Sequence, residues 1–166
     1  MAKQVINLGT APAGAGGDDR RSAWLKAIAN FDELYNFIAT AFNRANILGA
    51  VGQSAGVPTG AIIQRGSNAN GEYVRYADGT QICWASRSSA SAAAGGYADV
   101  SFTLPIAFAS SVYTATCQAT PVNHWDYYGC LGVWTQTATG VTFRVRNGAA
   151  GAQSFACGML AIGRWY

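Results

Sequence analysis

The most chemically varied stretch of the sequence is the hexapeptide NHWDYY at residues 123–128. It combines three aromatic rings, the only histidine of the chain and one of its eight acidic residues. Aromatic rings stack on the apolar faces of sugars, while amide, carboxylate and imidazole groups bond hydroxyls, so this mixture suits a carbohydrate or a polar protein epitope. The candidate ligand-binding residues are therefore Asn123, His124, Trp125, Asp126, Tyr127 and Tyr128.

A second interpretation of the hexapeptide is purely structural. Aromatic residues of β proteins often pack inward, so Trp125 and Tyr127 could be core or subunit contacts. In that case only His124, Asp126 and Tyr128 face water.

Catalysis finds little support in the same residues. Enzymes that cleave glycans normally use two carboxylates about 5 to 10 Å apart. Beyond residue 50, only Glu72 and Asp126 fall where both could lie toward one end of a β domain. No nucleophile elbow, zinc motif or cysteine–histidine signature occurs. We therefore expect a protein that is not an enzyme and has no catalytic residues, metal or cofactor.

Composition limits the partners. Charged residues make up 11% of the 166 residues and the net charge is +3, so no strong field exists to attract nucleic acid or an anionic membrane. No apolar run approaches the roughly 18 to 20 residues of a membrane helix, and the first ten residues lack the features of a secretory signal. We expect no nucleic-acid partner, no membrane insertion and assembly in a cytoplasm.

The four cysteines are not spaced as metal ligands. No CxxC pair occurs, and only His124 could add a nitrogen ligand, so a zinc site is not expected. Each cysteine falls within an apolar, strand-like run, which favours small buried thiols; one or two disulfides formed after release are the alternative. The residues concerned are Cys83, Cys117, Cys130 and Cys157.

The first fifty residues contain a long helical pattern. Asp18 or Asp19 is a suitable N-cap, and the pattern that follows extends to Leu48. Apolar residues spaced by four and three form a heptad seam, which predicts self-association; an amphipathic helix docked on its own domain is the alternative. The seam residues are Trp24, Ile28, Phe31, Tyr35, Ile38 and Phe42, flanked by Ala27, Leu34, Ala41 and Leu48.

The remainder of the chain alternates in the manner of β-strands. Asp78-Gly79 and Thr139-Gly140 mark two hairpins, and about eight short strands follow residue 60, which predicts an antiparallel sandwich or compact barrel. If each strand runs antiparallel to its predecessor, the end away from the helix collects segments 66–71, 85–97, 120–127 and 147–153. We call this the far end; the tight turns and segment 105–111 lie at the near end.

Two further candidates flank a far-end loop. Arg87 and Tyr97 bracket the Ser- and Ala-rich segment between two strands, so we expect them near the hexapeptide. Trp84, Trp134 and Trp165 lie inside strand patterns and are expected to be structural.

Two stretches resemble known proteins. Residues 5–35, VINLGTAPAGAGGDDRRSAWLKAIANFDELY, resemble a segment of phage tail and baseplate proteins, and residues 66–84, GSNANGEYVRYADGTQICW, resemble the start of the C-terminal receptor-binding domain of phage and bacteriocin tail fibres. The resemblance implies an H-type-lectin-like sandwich, a parallel homotrimer, and binding to a bacterial surface glycan such as lipopolysaccharide. It also implies a location in the virion tail, acting outside the cell, with the N-terminal segment attached to a tail or baseplate protein.

These observations combine into one expected organisation. Residues 1–50 form an attachment segment and oligomerisation helix, 51–60 a linker, and 61–166 a β-sandwich tip. The chain is thus mainly β, with its sandwich following a trimeric helical bundle or short coiled coil. The expected function is host adsorption by a short tail fibre; the alternative is a structural tail adaptor that binds no receptor.

Overall fold

The computed structural model describes residues 3–41, 46–89, 91–121 and 128–166. The chain divides into two units, Met1–Asn43 and Arg44–Tyr166. In chain order the elements are α1 (Arg20–Thr40), β1 (Val51–Ser54), β2 (Val57–Gly60), β3 (Ile63–Asn68), β4 (Gly71–Tyr76), β5 (Thr80–Ser88), β6 (Tyr97–Thr103), β7 (Thr114–Pro121), β8 (Tyr128–Thr137), β9 (Gly140–Asn147) and β10 (Phe155–Arg164).

Helix α1 begins where the sequence predicts and ends earlier. The Asp19 carboxylate accepts hydrogen bonds from the backbone N–H groups of Arg21 and Ser22, as an N-cap does. At the other end Ala41 is already extended (φ −67°, ψ 144°), so the pattern that runs to Leu48 overestimates the helix. Leu48 instead forms a β-bridge with Ile63. The last seam residue, Phe42, lies outside the described residues.

The segment before α1 is fastened to the helix by polar side chains. Asn30 bonds the backbone of Gln4 at both its N–H and its C=O, and Lys26 forms an ion pair with Asp18 at 2.6 Å. That pairing lowers the pKa of the Asp18 carboxyl. Gly9 has φ +70°, and a Cβ there would lie 2.1 Å from the Gly14 carbonyl oxygen. The glycine-rich turn and the asparagine of IANFDELY therefore hold this segment along the first turns of α1.

Helix α1 leaves its apolar side chains uncovered in the single chain. None of its residues is buried. Eight large side chains are at least half exposed: Trp24, Leu25, Ile28, Phe31, Leu34, Tyr35, Phe37 and Ile38. Five of them belong to the predicted seam.

The second unit is an antiparallel β structure with two main sheets. One has five strands in the order β3-β4-β5-β10-β7, and the other has three in the order β6-β9-β8. These eight strands confirm the predicted sandwich of antiparallel strands. Strands β1 and β2 pair with each other as a hairpin inside the expected linker 51–60. The division into attachment segment, linker and tip stays a prediction.

The core lies between the inner faces of the two sheets. Strand β6 alternates exposed and buried residues from end to end, as a strand with one face in a core does. Phe102 and Phe143 meet edge to face with ring centroids 6.0 Å apart, and Phe155 is fully buried. Such pairs add about 0.5–1.5 kcal/mol beyond the area they bury.

All four cysteines are free thiols in the structure, which corresponds to the first of the two alternatives above. Cys83 and Cys157 are buried, whereas Cys117 and Cys130 are partly buried. Burial raises the pKa of the Cys83 thiol to about 11. Its thiol therefore remains protonated near neutral pH and packs as a small apolar group.

Candidate functional site

Strand direction brings the predicted far-end segments together. Ala156 at the start of β10 pairs with Ser88 at the end of β5 and with Thr120 near the end of β7. In the other sheet, Tyr97 pairs with Arg146 at the start of β6. The described strand ends therefore confirm that the connections 85–97 and 147–153 and the end of β7 share one end of the unit.

The connection between β3 and β4 is shorter than predicted and does not reach the far end. Segment 66–71 was expected as a loop, but β3 continues to Asn68 and β4 begins at Gly71, which leaves a two-residue turn. The β3–β4 turn lies level with Ala85 and not at the end of β5, since a Cβ on Gly71 would lie 2.8 Å from the Ala85 Cβ. The Asn68 side chain donates to the Pro105 carbonyl at 2.7 Å, which ties the turn to the segment expected at the near end.

A single buried asparagine holds two far-end loops together. Asn147, the last residue of β9, donates from Nδ2 to the carbonyl oxygens of Ala92 (3.0 Å), Ala93 (3.0 Å) and Gly151 (2.8 Å). Its Oδ1 accepts from the Ala149 N–H at 3.0 Å. Buried carbonyls need donors, so this side chain determines the path of both loops.

A polar cleft opens beside these loops on the outer face of the five-stranded sheet. It has a volume of about 530 Å³ and crosses β5, β10 and β7. Its floor is Ala156 and Gly158 of the central strand, which are too small to fill it. Ala156 is paired with Ser88 on β5 and with Thr120 on β7. Gly158 is paired with Ser86 on β5 and with Gln118 on β7. The remaining lining residues are Ser86, Arg87, Ser88, Gln118, Thr120 and Cys157.

The chemistry of this cleft is hydrogen bonding by neutral groups with one nearby cation. Hydroxyls and amides both donate and accept, so they match the alternating donors and acceptors of a polyhydroxylated ligand. Arg87 is exposed, and its Nη2 lies 3.4 Å from Asn70 Oδ1, which links the cleft to the β3–β4 turn.

The predicted site residues have different outcomes. Arg87 lines the cleft, whereas Tyr97 is 55% exposed on the three-stranded sheet and is not among the lining residues. Asn123, His124, Trp125, Asp126 and Tyr127 lie outside the described residues. Tyr128 is the first residue of β8, and the residues before it follow in sequence after β7, whose Gln118 and Thr120 line the cleft. Their role in binding stays a prediction.

Trp134 differs from its expected structural role, because it is 59% exposed. The pairing of β8 with β9 shifts between Val133 and Thr135, so Trp134 occupies a bulge. Simple alternation along β8 gave no sign of this irregularity. Trp165 does act structurally: its indole N–H donates to the Tyr76 carbonyl at 2.9 Å.

The described carboxylates of the second unit are held in their charged form. Glu72 pairs with Arg65 at 2.6 Å, Asp99 pairs with Arg144 at 2.7 Å, and Asp78 accepts from the Thr80 N–H. Each partner lowers the pKa of its carboxyl. A glycosidase acid needs the opposite shift, so none of these three groups suits that role.

The described residues also bear on metal binding and on membrane crossing. They contain no cluster of three or more His, Cys, Asp or Glu side chains able to hold a metal ion. The helix within them is not long and apolar enough to cross a membrane.

Solved structures of bacteriocin tail fibres are similar to this chain. No family model matches the sequence, and no curated protein matches it. A C-terminal fragment of the R1 pyocin fibre of P. aeruginosa superposes with a TM-score of 0.50 at 16% identity, covering 93% of this chain and 35% of that one. The corresponding R2 fragment gives 0.42 at 19% identity, covering 94% and 33%. An N-truncated R1-type pyocin tail fibre gives 0.49 at 21% identity, covering 61% and 84%.

The chain thus spans about a third of the length of the two longer fibre fragments. The resemblance to tail fibres is confirmed at the level of the fold: the mainly β architecture of the described residues, with helix α1 before the strands, is similar to that of the C-terminal region of a pyocin tail fibre.

Proposed function

We propose that this chain is the receptor-binding tip of a tail fibre and that it attaches a phage or phage-like particle to a bacterial surface glycan, such as lipopolysaccharide. The observation that carries the proposal is the polar cleft at the far end. Thr120 of the cleft lies near the end of β7, and the aromatic hexapeptide begins three residues later in the sequence. The cleft supplies hydrogen bonds for hydroxyls, and the hexapeptide supplies rings that stack on sugar faces.

The second part of the proposal is a homotrimer held by α1. The exposed side chains of the seam are too numerous for a helix that remains in water, since large exposed apolar surfaces mark association sites. Parallel helices on a common axis would bury them. Three linked tips would also raise the avidity for a repetitive surface polymer. The segment that precedes α1 is then the attachment point for a tail or baseplate protein.

A structural adaptor is the second candidate, and one observation favours it. Below the cleft, the same outer sheet face exposes Leu160 and Ile162, each 44% exposed, beside Trp84. A strip of this kind suits a lasting protein contact. A tip that binds a receptor only through its far end is compatible with such a contact at the near end.

We expect the double change Trp125→Ala and Tyr128→Ala to abolish adsorption to susceptible cells while leaving assembly intact. Removing one stacking ring costs about 1–3 kcal/mol, by analogy with stacking on bases, and avidity multiplies the loss across three tips. Adsorption of labelled protein to cells, sedimentation and thermal melting together measure the effect.

The control is Tyr166→Phe, which removes one hydroxyl at the near end. A large loss of stability in the double variant, about 3–5 kcal/mol in the free energy of unfolding per buried ring, would mean that these residues are core and not receptor contacts. A folded double variant that adsorbs normally would remove the hexapeptide from the site. Periodate oxidation of the cell surface should abolish binding of the wild type, and protease treatment should not, if the receptor is a glycan.

A further inference from the structure

The outer face of the three-stranded sheet carries a fixed arginine–aromatic stack. The Arg144 guanidinium carbon lies 3.7 Å from the Trp134 ring centroid, within the range of a cation–π contact. Asp99 holds the same guanidinium in a fork, at 2.7 Å from Nε and 2.9 Å from Nη2. Trp134 stays 59% exposed despite this stack, so a wide ring surface remains accessible.

A second arginine stands beside the stack with its charge available. Arg146 lies two residues along β9 from Arg144, on the same side of the sheet, and is paired in register with Tyr97. Its guanidinium carbon is 6.0 Å from the Tyr97 ring centroid. No described carboxylate forms an ion pair with Arg146, whereas Arg144 is neutralised by Asp99.

Two glycines leave space next to these arginines. On β8, Gly129 is opposite Arg146 and Gly132 is opposite Arg144. A Cβ added at either glycine would meet none of the described residues within 4 Å. The strand therefore presents bare backbone along one side of the arginine–aromatic face, which we define by Tyr97, Trp134, Arg144 and Arg146.

We propose that the arginine–aromatic face binds an acidic saccharide, meaning a sugar unit that carries a carboxylate or a phosphate. Trp134 offers a ring for the apolar side of the sugar. Arg146 offers a guanidinium that no described carboxylate neutralises and whose paired donors fit a carboxylate or phosphate. The space over Gly132, opposite Arg144, leaves room for the sugar ring beside Trp134, and the space over Gly129, opposite Arg146, leaves room for its acidic group. Charge complementarity thus selects the anionic ligand over a neutral one.

This second site lies on the other sheet from the far-end cleft and is not part of it. It rests on the proposed function in one respect only, namely that the ligand is a saccharide. A binding measurement on the purified protein tests it without reference to adsorption, so either proposal can fail alone.

The test is a titration of the full-length protein, followed by the indole N–H signals in a nitrogen-correlated NMR spectrum. The Trp134 signal is identified by its loss in Trp134→Phe. Glucuronate and glucose 6-phosphate are added in parallel, with glucose and sodium chloride of matched ionic strength as controls. We expect the Trp134 signal to shift in a saturable way with an acidic sugar and to stay in place with glucose and with salt.

Two variants sharpen the test. Arg146→Gln should weaken the binding of the acidic sugar by at least about tenfold, because it removes a charged hydrogen-bond donor. Gly129→Thr should do the same by filling the space, while β-branched threonine suits the strand and keeps the fold. Arg65→Gln is the matched control, since Arg65 lies over Trp84 on the other sheet and its loss should change nothing.

Each outcome decides the proposal. Binding of glucuronate alone identifies a carboxylate ligand, and binding of glucose 6-phosphate alone identifies a phosphate ligand; both support it. Equal shifts with glucose, or unchanged affinity in Arg146→Gln, overturn it. A Trp134 signal that no sugar moves and that a soluble paramagnetic agent does not broaden also overturns it, because a second copy of the chain then covers this face.

Discussion

Replacing both Phe31 and Ile38 by aspartate is expected to convert the assembled protein into monomers. Both side chains are more than half exposed on α1, and they lie one heptad apart along the predicted seam. In a trimer the change would bury six unpaired carboxylates around one axis, and burying even one unpaired charge costs several kcal/mol. Sedimentation at micromolar concentration should therefore show a threefold drop in mass.

The matched control for the seam is Asn36→Asp. It places the same charge on the same helix, at an exposed position off the seam, and should leave the assembly intact. A wild-type protein that sediments as a monomer would contradict the trimer directly. So would a double variant that keeps the mass of the wild type.

Replacing Asn147 by leucine is expected to disorganise the far end and to lower the stability of the second unit. Leucine has a similar size but removes four hydrogen bonds of the side chain, those to the carbonyls of Ala92, Ala93 and Gly151 and that from the Ala149 N–H. Each lost hydrogen bond costs about 0.5–1.5 kcal/mol, so a total of about 3 kcal/mol and a fall in melting temperature of roughly 10 °C are expected. Calorimetry measures the melting temperature.

The loops that Asn147 holds adjoin the cleft, so adsorption should fall together with stability. Asn70→Ala is the control, because Asn70 lies in an exposed turn of the same unit and its side chain makes a single long contact with Arg87. If Asn147→Leu melts at the wild-type temperature, the proposed role of this side chain in shaping the far end is wrong.

The sandwich was predictable because its signals are local. Alternation along β6 and β9 and the Asp78-Gly79 turn each specify a strand or a hairpin from adjacent residues. Antiparallel connection then fixes which loops share an end, without any knowledge of packing. The N-cap at Asp19 was equally local.

The parts that could not be predicted depend on distant contacts. The helix pattern continues to Leu48, yet Leu48 pairs with Ile63, so a bridge in the second unit replaces the helix. The Trp134 bulge arises from the register of β8 on β9. The cleft is made by small residues on a central strand and hydroxyls on its two neighbours, and nothing in the sequence reveals that β10 lies between β5 and β7.

That the far-end cleft binds the receptor is tested most directly by the binding of fluorescently labelled protein to susceptible cells, compared between the wild type and Gly158→Val. A Cβ on Gly158 meets nothing within 4 Å, so valine fits the strand and fills the floor of the far-end cleft. Thr114→Val, on the same sheet at the near end, is the control. We expect Gly158→Val to stay a folded trimer and to lose cell binding, while Thr114→Val keeps it. A folded, trimeric Gly158→Val that binds cells as the wild type does would contradict the role of the far-end cleft in receptor binding.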